Sequence, residues 1–302
     1  MATSESDDIR DIDPETVTAD DIDIDRVETG LESDENLIRT HAAQLTTALA
    51  AEDPQSITPL VPTLAEMFDD DRSVVLKEVL FSLSLLAEDD PDAVVDVAGD
   101  LVGVLDHDLP LINSAGARAL RPLAVEHPTA FVEHVDELLT VVERPVSDPM
   151  EGLDPSPNPD VVRAETVENV RAQSQRRQLA ARVVAANVVV EVAHVETGAV
   201  LPHTGRLVEL LDDDDPAVRS ASAGALATVA EHLPDTLDEA VPSLTDALDD
   251  VDDTTRARAV AALGYVGDDA AVDPLRELAA DEDADEDLRE MAAETADFLD
   301  DQ

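Results

Sequence analysis

Cysteine and tryptophan are absent from this chain, tyrosine occurs once and phenylalanine four times. The missing cysteines exclude disulfides, a thiolate metal site and a cysteine nucleophile. Aromatics make up only 2% of residues, so the core must be built from Ala, Val and Leu. That composition suits closely packed helices better than strands, which favour aromatic and Ile residues. Lysine is nearly missing too: Lys77 is the only one, and every other basic residue is arginine. Positive charge as a whole is scarce, with 19 Lys+Arg against 71 Asp+Glu and a formal net charge of -52. So few cations cannot form a broad basic face, and direct binding to nucleic-acid phosphates is not expected. The N-terminal stretch has no basic segment followed by an apolar one, so no secretory leader is expected. The longest apolar run, residues 183–195, contains Asn187, Glu191 and His194. It falls short of the about 20 apolar residues that span a bilayer. The expected location is the cytoplasm, with no membrane contact.

What the chain does have is a helix of one design that returns about every 37 residues. Leu83 to Leu120 is 37 positions, and Leu226 to Leu263 is again 37. A repeat of this length implies stacked helix pairs, because one pair alone cannot bury its apolar face. A first helix over 57–68 is followed by a second over 72–87, and 91–105 by 109–126. Residues 36–51, with Ile38, Leu45 and Leu49 on one stripe, read as a capping helix. Second helices follow carboxylate-rich turns, where Asp supplies N-caps and its charge suits the helix dipole. Pro91, Pro128, Pro234 and Pro242 stand near the starts of first helices, where a missing N–H matters little.

The spacing breaks once. Leu120 to Val188 is 68 positions, and the excess coincides with an acidic, Pro-rich stretch expected to form a loop at about 144–161. An extended second helix is expected after it, from about residue 162 to 195. Val188 to Leu226 is then 38 and Leu263 to Ala296 is 33, with a weaker, acidic last copy that reads as a C-terminal cap. Residues 1–33 show no sustained period and are expected to be a disordered acidic tail. A sharper reading makes Ile9, Ile12, Ile22 and Ile24 apolar anchors that order on a partner.

The second helices share an apolar residue, an Arg, alanine-rich positions and a closing Ala-Leu. The copies are Val218-Arg219…Ala225-Leu226, Thr255-Arg256…Ala262-Leu263-Gly264 and, reduced, Leu288-Arg289…Thr295-Ala296. With the Asp-rich turns, this resembles the HEAT repeat, particularly the short variety of phycobilisome-lyase-like HEAT proteins. The resemblance implies an all-α, HEAT-like α-solenoid of about six helix pairs over residues 34–302, wound as a right-handed superhelix. It also implies a non-enzymatic scaffold or adaptor that binds protein on a concave face lined by second helices. Two alternatives are an enzyme or enzyme subunit of the HEAT-like lyase or hydroxylase type, and a chromosome-associated subunit acting through protein partners. Arg219, Leu226, Arg256, Leu263 and Arg289 are the structural repeat positions, with Arg219 and Arg256 expected to pair with turn carboxylates such as Asp215 and Asp252. Leu76 and Asn113 stand at the Arg position of earlier copies. The bias toward Asp and Arg resembles the proteins of salt-in halophilic archaea, whose carboxylates hydrate the surface. The competing reading of the charge is a nucleic-acid mimic or a binder of basic proteins.

Candidate chemistry is sparse. Three of the seven histidines follow glutamate: His127, His134 and His232. The HEAT-like deoxyhypusine hydroxylases bind two irons through His-Glu pairs, but here the order is reversed and the pairs lie near helix ends, where the dipole favours His. No catalytic motif, metal site or cofactor is expected. The local charge anomaly is a basic, amide-rich stretch comprising Arg163, Arg171, Gln175, Arg176, Arg177, Gln178 and Arg182. Arg171, Gln175, Gln178 and Arg182 share one helical stripe. The stretch is the candidate partner-binding site, for an acidic peptide or a phosphate. The competing reading pairs it with the chain's own acidic loop or tail.

Overall fold

The computed structural model describes residues 9–19, 22–148 and 161–301, with backbone only for 161–166. Among them the regular structure is entirely helical, in α and 3-10 turns. Contacts divide the chain into two compact units, residues 1–130 with 145–181, and residues 131–144 with 182–302.

In the first unit α1 (Ile24–Leu31) packs on α2 (Asn36–Glu52). Then α3 (Val61–Glu66) precedes α4 (Ser73–Asp89), and α5 (Ala98–Val104) precedes α6 (Pro110–Glu126). The second helices α2, α4 and α6 stack in that order. The second unit holds α7 (Val135–Glu143) and the later part of the long α8 (Val161–Val195). There α9 (Thr197–Val200) and α10 (Thr204–Glu209) lead to α11 (Pro216–His232), α12 (Val241–Asp246) to α13 (Asp253–Val266), and α14 (Val272–Ala280) to α15 (Glu286–Asp300). Helices α11, α13 and α15 stack in turn. The result is an all-α solenoid of stacked helix pairs.

The core follows the repeat. Leu83, Leu120, Val188, Leu226, Leu263 and Ala296 are fully buried, as are Ala119, Ala225 and Ala262 just before three of those leucines. Alanine brings neighbouring backbones close, and leucine fills the space between layers. At Gly264 an added Cβ would stand 2.9 Å from Thr295 Cγ2, which marks how closely α13 and α15 approach. Asp215, Asp252 and Asp285 cap the second helices α11, α13 and α15 as expected, and Asp23, Asp53 and Asp268 cap α1 and two 3-10 turns. Each such cap contributes about 1 kcal/mol. Helices α4 and α6, however, have Arg72 and Leu109 at that position and no side-chain cap, despite their acidic turns.

The first helices differ from the continuous pattern of the sequence. The segment 54–69 is a 3-10 turn, the short α3 and another 3-10 turn, with Pro59 and Pro62 inside it. Proline removes a donor and clashes with the preceding turn, so this first helix proceeds in pieces. Pro202 and Pro242 stand in the first two positions of the 3-10 turn Leu201–His203 and of α12, the helix-start position expected for Pro242. Helix α7 ends at Glu143 and α8 begins at Val161; residues 149–160 of the expected loop lie outside the described residues. Helix α8 matches the extended helix expected at 162–195. Its stretch Val167–Val195 is long and apolar enough to cross a membrane by length and composition, which the apolar run 183–195 alone is not. Half of the qualifying window is buried inside the protein, and Ala185, Val188, Val189, Val192 and Ala193 are core residues.

The N-terminal segment is a correction. Instead of a disordered tail up to residue 33, residues 24–31 form α1, with Val27 and Leu31 fully buried. Ahead of it Ile9 is buried, and the Ile12 carbonyl lies 2.9 Å from His41 Nε2 on α2. The open edge of α2 supplies the apolar contact that the acidic stretch lacks by itself. Residues 1–8 lie outside the described residues. A Cβ on Gly30 would meet Ile9 Cδ1 at 2.7 Å and Ala42 Cβ at 2.9 Å. Overpacking there costs about 2 kcal/mol, and alanine's helix propensity returns up to about 1 kcal/mol. Gly30→Ala is therefore expected to destabilise the protein by about 1 kcal/mol in urea titration; a stabilised variant would show that Ile9 does not pack there.

Candidate functional site

A recurring feature of the stack is an arginine ladder, in which an arginine reaches an aspartate in the turn of the following repeat. Arg39 Nε donates to Asp70 Oδ2 at 2.7 Å. Arg182 pairs with Asp213, and Arg219 donates to both Asp250 oxygens, at 2.5 and 2.8 Å. In all three the Asp lies 31 residues on, in the turn of the following repeat. Arg256 breaks the interval: it pairs with Asp253 and lies 3.6 Å from Asp281. Each Asp also folds its own turn, accepting the N–H two residues on: Arg72 at 2.9 Å, Asp215 at 2.9 Å and Asp252 at 2.7 Å. The Arg219 hydrogen bond holds the Asp250 carboxyl below the usual carboxylate range, and Asp250 raises Arg219 in return.

The expected partners of Arg219 and Arg256 are thereby corrected. Asp215 and Asp252 are N-caps, accepting from Ala217 and Val218 N–H and from Thr255 N–H. An N-cap carboxylate is turned toward its own helix end, whereas the next layer's turn faces the guanidinium. At the step where Leu76 replaces the arginine, His107 replaces the aspartate, and its Nδ1 accepts the Leu109 N–H at 3.0 Å. Asn113 instead donates to the Leu105 and His107 carbonyls. Two ladder members escaped the sequence reading, although the spacing held the signal: Arg39, Leu76 and Asn113 lie 37 apart, as do Arg182, Arg219 and Arg256.

Arg182 is accordingly a correction to the candidate partner-binding set. It is buried and donates to the Val142 carbonyl at 2.6 Å as well as to Asp213. Arg171 donates to Asp148 at 2.9 Å, which raises its pKa through that hydrogen bond. The Gln178 amide oxygen accepts from Ser147 N–H and Oγ, and its nitrogen donates to the Ser147 carbonyl. These two thus hold the start of the 144–161 stretch. Arg176 is exposed, while Arg177 and Gln175 are half-buried. The Arg163 side chain lies outside the described residues.

The feature that stands out is where the negative charge is not. Helices α2, α4, α6, α11 and α13 together carry seven acids and seven bases, within a chain of net charge -52. Glu52, Glu88, Asp89, Glu126 and Glu231 lie in last turns and Asp253 opens its helix, which leaves Glu78 alone mid-helix. In the first unit these helices also expose apolar side chains. Leu37, Val74 and Leu111 are exposed, one on each of α2, α4 and α6 and 37 residues apart. A helical heptad further along stand Phe81, beneath the Arg118 guanidinium at 5.1 Å, and then Val125, 65% exposed. Beside Val125 a groove of about 550 Å³ is lined by Pro91, Pro122 and Arg121 together with Glu88, Asp92, Glu126 and His127. In the second unit the matching positions are small: Ala217, Gly224, Thr254 and Ala261. A second groove of about 640 Å³ there has Tyr265, Met291 and Phe298 along it.

The histidines are dispersed. His127 Nε2 lies 2.7 Å from Asp92, His134 Nδ1 lies 3.0 Å from Glu137, and His232 Nδ1 lies 2.9 Å from the Thr228 carbonyl. Among the described residues no three His, Asp or Glu side chains are grouped to hold a metal ion.

Known proteins share both the repeat and the stack. The HEAT repeat profile matches residues 205–233, and a profile of HEAT repeats matches residues 241–302. Residues 205–233 and 241–302 are HEAT repeats. No curated protein sequence matches the chain. Among solved structures, an engineered protein superposes with a TM-score of 0.60 at 20% identity, covering 92% of this chain and 68% of its own. A computationally designed armadillo repeat protein for modular peptide recognition gives 0.55 at 16%, covering 80% and 99%. A designed armadillo repeat protein in complex with the peptide (KR)4 gives 0.52 at 18%, covering 81% and 100%. At these identities the likeness is one of fold. The Arg39–Asp70, Arg182–Asp213 and Arg219–Asp250 pairs tie three layers to the turns that follow them.

Proposed function

We propose that this HEAT-repeat protein is a non-enzymatic scaffold that holds a protein partner on the faces of its second helices. The observation that carries the reading is the charge segregation: five second helices with no net charge in a chain of -52. The net charge of -52 lies outside these five helices, much of it in the turns and in the terminal helix α15, and exposed apolar side chains in register mark contact surface more often than solvated surface. Peptide recognition by two of the designed armadillo proteins with this fold supports the reading by analogy.

The test is affinity capture of the full chain from its host in molar KCl, with cross-linking and mass spectrometry. Cross-links from captured protein are expected at the exposed positions of α2, α4, α6, α11 and α13. Cross-links confined to the acidic turns and first helices would overturn the scaffold reading.

A further inference from the structure

We infer that the groove between α13 and α15 takes the guanidinium of an arginine side chain presented by the protein partner. The inference rests on the scaffold reading and adds the chemistry recognised at one point of contact. The chain has one tyrosine, four phenylalanines and no tryptophan, and two of these five rings, Tyr265 and Phe298, are exposed along this groove. They stand 33 residues apart, the interval that also separates Leu263 from Ala296. The two rings therefore project from one repeat position on neighbouring helices. Small residues, Ala261, Gly264 and Thr295, line the groove between them, where the two helices approach closely. Packed helices lie about 8–10 Å apart, so a flat group seated between the rings lies about 4–5 Å from each, within cation–π range.

Charge decides what the groove holds. Its charged lining residues are Asp235, which follows α11, and Glu294 on α15, with no cation beside them. Neither α13 nor α15 carries a basic residue in its last turn, where the helix dipole favours one. Arg256 and Arg258 on α13 and Arg276 on α14 are engaged by Asp253, Ser220 and Asp300. Arg289 lies nine residues before Phe298, outside the lining. Two carboxylates beside two rings call for a positive group from outside. A quaternary ammonium would stack on the rings but leave the carboxylates without a donor. A lysine ammonium is compact and strongly hydrated, whereas a guanidinium is flat, weakly hydrated and bidentate toward carboxylates. The chain already builds this combination once: the Arg118 guanidinium lies 5.1 Å from the centre of the Phe81 ring and donates to Glu88. In molar salt the Debye length is about 3 Å, so only touching groups contribute. Ring stacking and direct hydrogen bonds then select this groove from the rest of an acidic surface.

The readout is intrinsic, because the single tyrosine of a chain without tryptophan makes protein emission a report on this groove. Capped Gly-Arg-Gly, its citrulline counterpart and capped Gly-Lys-Gly are titrated against the full chain in molar KCl. The arginine peptide is expected to change Tyr265 emission saturably, the lysine peptide to bind more weakly and the neutral citrulline peptide not at all. Phe298→Leu and Glu294→Gln should each weaken the arginine peptide by about fivefold, with unchanged circular dichroism because both side chains are exposed. Glu282→Gln, at an exposed carboxylate outside the groove, should leave binding unchanged. A linear, collisional response, equal binding of the citrulline peptide, or indifference to Phe298→Leu overturns the inference. So does a dimer in light scattering that Phe298→Leu dissociates, since an arginine of a second copy would then fill the groove. If the arginine peptide fails while captured partners still cross-link to the second helices, the arginine site is wrong and the scaffold reading stands. If the peptide binds but the cross-links lie elsewhere, the scaffold reading fails and the groove's role in holding a partner fails with it.

Discussion

Replacing Leu226 with alanine is expected to lower the unfolding free energy by about 3 kcal/mol, within the range for a fully buried leucine. Leu226 is completely inaccessible, on a helix that packs against α13 and touches the first-helix segments of its own repeat. The lost methyl groups leave a cavity that rigid neighbouring helices fill poorly. Because repeat proteins are stabilised chiefly through nearest-neighbour interfaces, hydrogen exchange should rise most in α11 and α13. Urea titration at fixed molar KCl measures the loss. A change below about 1 kcal/mol would mean that the interface collapses around the shortened side chain. Leu263→Ala, equally buried one repeat later, provides an independent replicate.

Loss of the Arg219–Asp250 pair should be as damaging. Both side chains are largely buried, and the Asp250 carboxylate accepts from the guanidinium and from the Asp252 N–H. Asp250→Ala leaves the guanidinium buried and uncompensated and unties the turn, so a loss of about 3 kcal/mol is expected. In a double-mutant cycle with Arg219→Ala the two changes should be strongly non-additive. The pH dependence has a fixed sign. Arg219 depresses the Asp250 pKa in the folded state, so the pair's contribution is complete above the unfolded carboxyl value of about 3.9. It is lost as pH falls through the lower folded value. Asp250→Asn retains a hydrogen-bond acceptor but no charge, and should flatten the acid limb of stability against pH. An acid limb equally steep in Asp250→Asn would remove this pair from the acid response.

The partner aspartates show how far local reading extends. Asp215 and Asp252 were legible as N-caps, because a cap acts within three residues of its own backbone. The same proximity made them tempting partners for Arg219 and Arg256. The true acceptor of Arg219 is 31 residues away, brought near only by stacking. Arg182 shows the converse: grouped with its charged neighbours it resembled a binding residue, but aligned with Arg219 at 37 residues it is a ladder member. The charge balance of five second helices is visible in the sequence, but their apolar register needed knowledge of which side of each helix stays exposed.

The sequence by itself determined the second helices, the Asp caps of the last three of them, the repeat length and the break after Leu120, because all of these depend on spacing along one chain. Tertiary structure decided which carboxylate meets each arginine, that α1 and the turn at residues 9–11 pack on α2, and that Leu37, Val74 and Leu111 face solvent together. Those outcomes depend on neighbours tens of residues away, whose distance is set by the packing of one layer on the next.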